Sequence, residues 1–387
     1  MPSGFDQWFF LAALRPCPSQ HVTASQMMKF VFLSSHAHYA LDPASSKVSG
    51  GAELQVALLA RELAARGKEV VVIGGDTGQA DDLTLEGVRT LVGGKFHTGR
   101  WIDTLASLPV ICGILRRERP DYLVIFGWTA LIRVMAFLRP LFGYRLVFIC
   151  GLDTEVDGTF GRRHGWRGRM FENGVRLADR RFAMSSFQDK AMTLAGLSHA
   201  VYRSLVLPRK DSRTLEKTED LLWIGRCQRI KRPHLFLDLA ERLPGARCTM
   251  ICSKEDIPLW EEVSQRAATL ANVTFLERVP YHGIQQYYDR SRLLVSTSEA
   301  EGVPNVMIQA AQGGCGIVAL AGDPDGMIAR FSAGFSAGGD FENLLEGIRG
   351  LLDDPSACRA AGLGAERILT EWLDNQRNTD AFLEGLR

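Results

Sequence analysis

The chain has 387 residues, 46% of them apolar and 23% charged, with a formal net charge of +1. That length can bury two cores, and so balanced a charge excludes a global pull toward nucleic acid or anionic lipid. The eight cysteines include no CxxC pair, and the closest two, Cys248 and Cys252, lie in an apolar run. They read as buried thiols in a reducing cytosol rather than a disulfide framework or a metal site.

The start, MPSGFDQWFFLAAL, places a seven-residue apolar run behind an acid, which makes a poor signal peptide. A strand opens only at KFVFLS, after Met27 and Met28. Residues 1–28 therefore read as an N-terminal extension, and loss of residues 1–26 is expected to leave folding intact. Next, SGGAELQVALLARELAARG predicts a helix, with Ala52, Val56, Leu59 and Leu63 at helical spacing and Gly67 as its stop. The runs EVVVIGG, YLVIFG, RLVFICG and RFAMSS predict further strands. Short apolar runs alternating with helical patterns indicate a parallel, doubly wound sheet. No stretch reaches the roughly 18 apolar residues of a membrane span.

The segment LPRKDSRTLEKTED (207–220) is charged and lacks periodicity, and reads as a linker. After it the alternation restarts: LLWIG, a helix from about His234, RCTMIC, a helix near 258–269, VTFL, a helix near 283–290, LLVSTS, a small-residue helix, and GIVAL. Residues 355–387 are helical and amphipathic. The expected organisation is an N-terminal domain over 29–207, a second domain over 208–368 and a C-terminal helix over 369–387. Ligands of open parallel sheets sit beyond the carboxyl ends of strands, so the candidate residues are those just after strands.

Arg226 directly follows LLWIG, and Lys231 comes five residues later in GRCQRIKRP. Two cations at a strand's carboxyl edge suit a diphosphate, the arginine through its fork and the lysine as a point charge. Taken alone, they are as readily a solvated surface pair. Glu301 follows LLVSTS, and the helix after it is expected to open near Pro304, a favoured first helical position. A helix start is an anion site. A carboxylate beside it makes sense if it accepts from ligand hydroxyls, and phosphates plus hydroxyls describe a nucleotide sugar. The plainer alternative is that Glu301 complements the helix dipole. Ala310, Ala311, Gly313 and Gly314 are small and serve close packing.

WIGRCQRIK followed downstream by EGVPNVMIQAAQGG resembles the retaining glycosyltransferases of family 4, as does the Gly-Gly start of SGGAELQVALLARELAARG. The resemblance covers most of the chain from about residue 29. It implies an α/β GT-B fold, two Rossmann-like doubly wound domains facing a central cleft, with the acceptor on the first and the nucleotide-sugar donor on the second. Arg226, Lys231 and Glu301 would form the catalytic set. Arg226 and Lys231 would bind the donor diphosphate, and Glu301 would bind hydroxyls of the transferred sugar, beside Gly302, Pro304 and Asn305. Gly50 and Gly51 would let backbone approach from the opposite wall, and Val279 would lie near the base. Gln309 replaces the family's second acid, the glutamate that accepts from the ribose. A glutamine carbonyl keeps the geometry and loses the charge, and its neutral bond is weaker. Trp128 stands where many relatives carry a histidine; with Asp153 it is a candidate for the acceptor side. His36, His38 and His164 are the other histidines considered, none a secure base.

The expected activity is transfer of a hexose from a nucleotide sugar to a glycan or lipid-linked acceptor, as in polysaccharide biosynthesis. DPD at 323–325 resembles a short acidic motif, but no cofactor and no metal is expected, since Arg226, Lys231 and helix amides already supply positive potential. GxGxxG is absent after every expected strand, which argues against a dehydrogenase. The arginine-rich, aromatic segment 161–182 suits an anionic membrane surface, so the expected location is the cytoplasm, with peripheral contact to the membrane's cytoplasmic face. Two other readings stay open: a pseudo-transferase that binds a nucleotide sugar without turnover, and an epimerase or hydrolase of nucleotide sugars on the same fold.

Overall fold

A computed structural model describes residues 28–42, 45, 50–207, 216–299 and 305–387. The expected extension therefore lies almost wholly outside the described residues. The first sheet contains β1 (Lys29–Leu33), β2 (Glu69–Gly74), β3 (Leu83–Leu85), β4 (Val88–Val92), β5 (Tyr122–Phe126), β6 (Arg145–Ile149), β7 (Arg180–Ala183) and β8 (Ala200–Val201). Their spatial order is β3-β4-β2-β1-β5-β6-β7-β8, parallel except where β3 runs against β4. The second sheet contains β9 (Glu219–Arg226), β10 (Cys248–Ser253), β11 (Val273–Leu276), β12 (Ser291–Ser296), β13 (Gly316–Ala319) and β14 (Gly334–Ser336), all parallel, in the order β11-β10-β9-β12-β13-β14.

Helices cover both faces of each sheet, which is why the strands read as continuous apolar runs. In the first unit, Val31 and Leu33 pack toward α3 (Trp101–Glu118), α4 (Ile132–Phe142) and α5 (Thr159–Leu177). Phe30 and Phe32 point the other way, toward α1 (Ala37–Leu41) and α2 (Gly51–Ala65). The helix α6 (Ser186–Leu194) connects β7 to β8. In the second unit, α7 (Pro233–Arg242), α8 (Ile257–Thr269) and α12 (Phe341–Asp353) share one core. The opposite face carries α9 (Tyr281–Arg290), α10 (Asn305–Gln312), α11 (Met327–Arg330) and α13 (Pro355–Glu371). The last helix, α14 (Asn375–Gly385), returns to the first unit, where Phe382 packs beside Phe182 and Tyr202 with ring centroids 4.8 and 5.6 Å away.

Three expectations need adjustment. The boundary placed at 368 falls inside α13; the chain leaves the second unit only after buried Trp372 and Leu373, where Asp374 caps α14. The linker read over 207–220 ends earlier, because Glu219 and Asp220 already belong to β9, with Asp220 accepting from the Arg247 amide at 2.8 Å. The β3–β4 hairpin was not expected. It closes through Glu86 and Gly87, both at positive φ (50° and 80°), the backbone that a two-residue hairpin turn needs.

In each sheet the strand order reverses once. The reversal falls between β1 and β5 in the first sheet and between β9 and β12 in the second. Such switch points open a crevice at the carboxyl ends of the strands, the usual ligand position in open α/β sheets.

Candidate active site

Arg226 ends β9, at the switch point of the second sheet. Its side chain is 63% exposed and stands 3.3 Å from Glu255, a surface pair of small energetic worth. Lys231 closes a 3-10 turn, Arg229–Lys231, that is clamped to the loop after β12. The buried indole of Trp223 donates to Thr297 Oγ1 at 2.9 Å, and the Thr297 hydroxyl donates to the Lys231 carbonyl at 2.7 Å. The Glu299 amide donates to the Ile230 carbonyl at 3.0 Å. Lys231 thus borders a crevice lined by Trp223, Ile224, Leu294, Ser296, Ser298 and Val306.

Across the gap, α2 starts at Gly51 without a side-chain cap on Gly50. A Cβ on Gly51 would lie 2.5 Å from Asn305 Nδ2, so any larger residue here would have to shift the Asn305 side chain at the start of α10. The Asn305 carbonyl oxygen accepts from Gln55 Nε2 at 2.8 Å, while Gln55 also bonds the Leu205 backbone in both directions, at 3.0 and 2.8 Å. The starts of α2 and α10 therefore meet, and Val306 of α10 borders the same crevice as Lys231, an arrangement that favours an anion.

Gln309 lies on α10, but its carbonyl oxygen accepts from the hydroxyl of buried Tyr288 at 3.3 Å. The atom expected to accept from a ligand hydroxyl is thus engaged within the protein. Val279 is half-buried in the loop between β11 and α9. Glu301, Gly302 and Pro304 lie outside the described residues, so the expected acid has no described position.

On the first sheet's carboxyl edge, Trp128 follows β5. It is 43% exposed and packs on Phe160 and Phe171, with centroids at 5.0 and 5.2 Å. His164 stacks near the same indole at 6.5 Å. Asp153 accepts from Gln188 Nε2 at 3.0 Å and from Ser185 Oγ at 3.4 Å, and burial raises its pKa against those bonds. His36 lies 5.4 Å from His97, and His38 Nε2 lies 3.3 Å from Thr77 Oγ1. Among the described residues, no group of three or more His, Cys, Asp or Glu side chains has the geometry to hold a metal.

The two acids of DPD have structural partners. Asp323 accepts from the Ile328 and Ala329 amides at the start of α11, at 2.7 and 3.0 Å. Asp325 reaches the other unit: it accepts from the Ser186 amide and hydroxyl at 2.8 and 2.6 Å and from Arg203 at 2.8 Å. Arg203 in turn lies over the Trp372 ring, 4.6 Å from its centroid. Burial alone would raise the Asp325 carboxyl, but the bonds from Ser186 and Arg203 outweigh it and hold the pKa below the usual aspartate range. A depressed folded pKa contributes stability above the unfolded value of about 3.9, lost as pH falls through the lower folded value. Asp325→Asn is therefore expected to cost about 2 kcal/mol at pH 7, the scale of a charged hydrogen bond. Unfolding curves at pH 7 and pH 3 check this, since the gap between wild type and variant should narrow in acid.

Sequence reasoning missed Gln55, Asp325 as a bridge, and Glu155. Glu155 is 2% exposed, and burial, opposed by bonds from the Gly151 and Leu152 amides, pushes its pKa up to about 7. The only hint in the sequence was its place in CGLDTEVDG just after a strand.

Two doubly wound, largely parallel sheets, each with a switch point at its strands' carboxyl ends, define an α/β protein of two Rossmann-like units. Residues 50–205 match the glycosyl transferase 4-like domain, and residues 218–354 match the glycosyl transferases group 1 family. The chain belongs to the GT-B glycosyltransferases of the group 1, family 4-like kind. Sucrose-phosphate synthase from Thermosynechococcus elongatus has a similar structure, with a TM-score of 0.73 at 17% identity over 92% of this chain and 98% of that one. WaaG, a glycosyltransferase involved in lipopolysaccharide biosynthesis, gives 0.68 at 15% identity over 92% and 99%. A UDP-forming α,α-trehalose-phosphate synthase from Burkholderia xenovorans gives 0.67 at 13% identity over 94% and 99%. These identities show a shared fold. None of the curated proteins matches the sequence.

Proposed function

We propose that the protein is a retaining hexosyltransferase that moves a sugar from a nucleoside-diphosphate donor to a glycan or lipid-linked acceptor. The observation that supports this most is the crevice that Lys231 shares with Val306 of α10, whose first residue, Asn305, lies against the start of α2. As the bond from the sugar's C1 to the diphosphate breaks, negative charge builds on the leaving oxygens. Fixed cations and amides stabilise that charge more than they stabilise the intact donor. The acceptor hydroxyl bonds to C1 from the same face and passes its proton to the departing diphosphate, so no protein nucleophile is required. This chemistry needs no resident metal, because Arg226 and Lys231 take the neutralising role.

Glu301 would accept from hydroxyls of the transferred sugar. Gln309, with its carbonyl on Tyr288, would offer its amide N–H groups to the nucleoside. Trp128 and Asp153 would form the acceptor wall. Beyond it, Arg162, Arg163, Trp166 and Arg167 are exposed on α5 around a kink at Gly165 (φ 57°, ψ −133°). Basic side chains near an anionic bilayer contribute about 1 kcal/mol each, which suits a peripheral position on the membrane's cytoplasmic face. Among the described residues no helix is long and apolar enough to cross a membrane.

The test is turnover of nucleotide sugars on vesicles containing anionic lipid, with EDTA present. The reading expects the protein to float with the vesicles and the product to keep the donor's anomeric configuration by NMR. An inverted product, or protein left in the soluble fraction, would contradict the corresponding part.

A further inference from the structure

Glu155 closes the 3-10 turn Asp153–Glu155 after β6, and its carboxylate is surrounded by backbone donors. Its Oε2 accepts from the Gly151 amide at 2.8 Å and from the Leu152 amide at 3.3 Å. The same carboxylate also lies against Gly127, in the loop after β5. Trp128 follows β5, whereas Gly151 and Leu152 follow β6, and these strands are parallel neighbours. One side chain therefore ties together two loops that leave the same edge of the first sheet.

The backbone is shaped for this tie. Gly127 has φ +67°, and a Cβ there would lie 3.2 Å from Glu155 Oε1. A Cβ on Gly151 would meet the Gly127 Cα at 3.3 Å. The two glycines let the loops close around the carboxylate. An ionised carboxylate suits the Gly151 and Leu152 N–H donors because it only accepts, whereas an amide in its place could aim its own N–H groups at them. Burying a carboxylate is costly even so. The loops it orders carry Trp128, the exposed Leu152, and Asp153.

We propose that Glu155 is a positioning residue for the acceptor: it holds the loops after β5 and β6 so that Trp128 and Asp153 form one wall, and it leaves the donor corner untouched. The acceptor role rests on the transferase reading above; the loop ordering does not. Glu155→Gln keeps the side chain's size and removes the all-acceptor character. Gly127→Ala strains the same tie from the other loop.

Hydrogen exchange followed by mass spectrometry on both variants decides the proposal. Exchange at 127–129 and 151–154 is expected to quicken about tenfold or more, with 223–231 and α10 unchanged and the melting temperature close to wild type. Unchanged exchange in those loops, or loss of protection throughout the chain, would overturn it. Kinetics add a readout that a merely structural role would not split: acceptor KM is expected to rise about tenfold with donor KM constant. A rise in donor KM instead would count against the proposal. Wild-type protein that turns over no donor would sink the transferase reading, while the exchange result would still judge the tie.

Discussion

Lys231→Ala is expected to lower kcat/KM for the donor by about two orders of magnitude, the worth of one charged hydrogen bond at the upper end of its range. The size follows from preorganisation. The carbonyl of Lys231 is held by Thr297, which is itself held by the Trp223 indole, so the residue's backbone does not need to be ordered when a ligand arrives. Its crevice is walled in part by Trp223, Ile224, Leu294 and Val306, which strengthens a charge interaction relative to open solvent. Arg226, more exposed and paired with Glu255, should matter less to turnover than to binding. Steady-state kinetics with the donor varied, and circular dichroism to confirm folding, would check this. A variant within threefold or so of wild type would mean that no developing charge sits beside Lys231.

Phe382→Ala should destabilise the protein by about 3–5 kcal/mol, the usual cost of emptying a large buried aromatic site. Phe382 is wholly buried in the core of the first unit, against Phe30, Phe182 and Tyr202, although it belongs to the last helix of the chain. Much of the remaining attachment of α14 is polar. Arg66 pairs with Asp380 and donates to the Gln376 carbonyl, and Asn375 Nδ2 donates to the Val206 carbonyl at 2.7 Å. Exposed pairs of this kind contribute about 1 kcal/mol at most. The apolar contact should therefore dominate, and Asp380→Ala should cost far less. Thermal unfolding of the two variants tests the ranking, and equal losses would refute it.

Much of the fold can be read from the sequence because both sheets are covered on two faces. VTFL is the whole of β11, and β1, β2, β5, β6, β7, β9, β10, β12 and β13 fall on expected apolar runs, whereas the short or mixed β4 (VRTLV), β8 (AV) and β14 (GFS) do not stand out. The β3–β4 hairpin escapes because Leu83 and Thr84 are exposed on an edge and Glu86 is an unusual residue for such a turn. The break between α13 and α14 escapes because the amphipathic pattern runs on through buried Trp372 and Leu373.

For the candidate site, the positions of Arg226 at the end of β9 and Lys231 in the turn after it are legible, since both lie close behind an apolar run. Gln55 is not, because its partner Asn305 is 250 residues away. The Ser186–Asp325 bridge spans 139 residues, and DPD looks the same in sequence whether it caps a helix, joins two units or binds a metal. Glu155 bonds nearby amides, but its meaning comes from Gly127, just after the neighbouring strand, which only pairing of β5 with β6 brings close. The role of Gln309 depends on a hydroxyl from α9, which no spacing within its own helix could reveal.

The central claim is that the corner between β9 and α10 holds a nucleoside diphosphate. Calorimetric titration of wild type and Arg226→Ala with UDP, GDP and ADP tests it most directly. The account predicts that one of the three binds wild type and that its affinity falls about tenfold or more in the variant. Binding of none of them, or equal binding by both proteins, would contradict it.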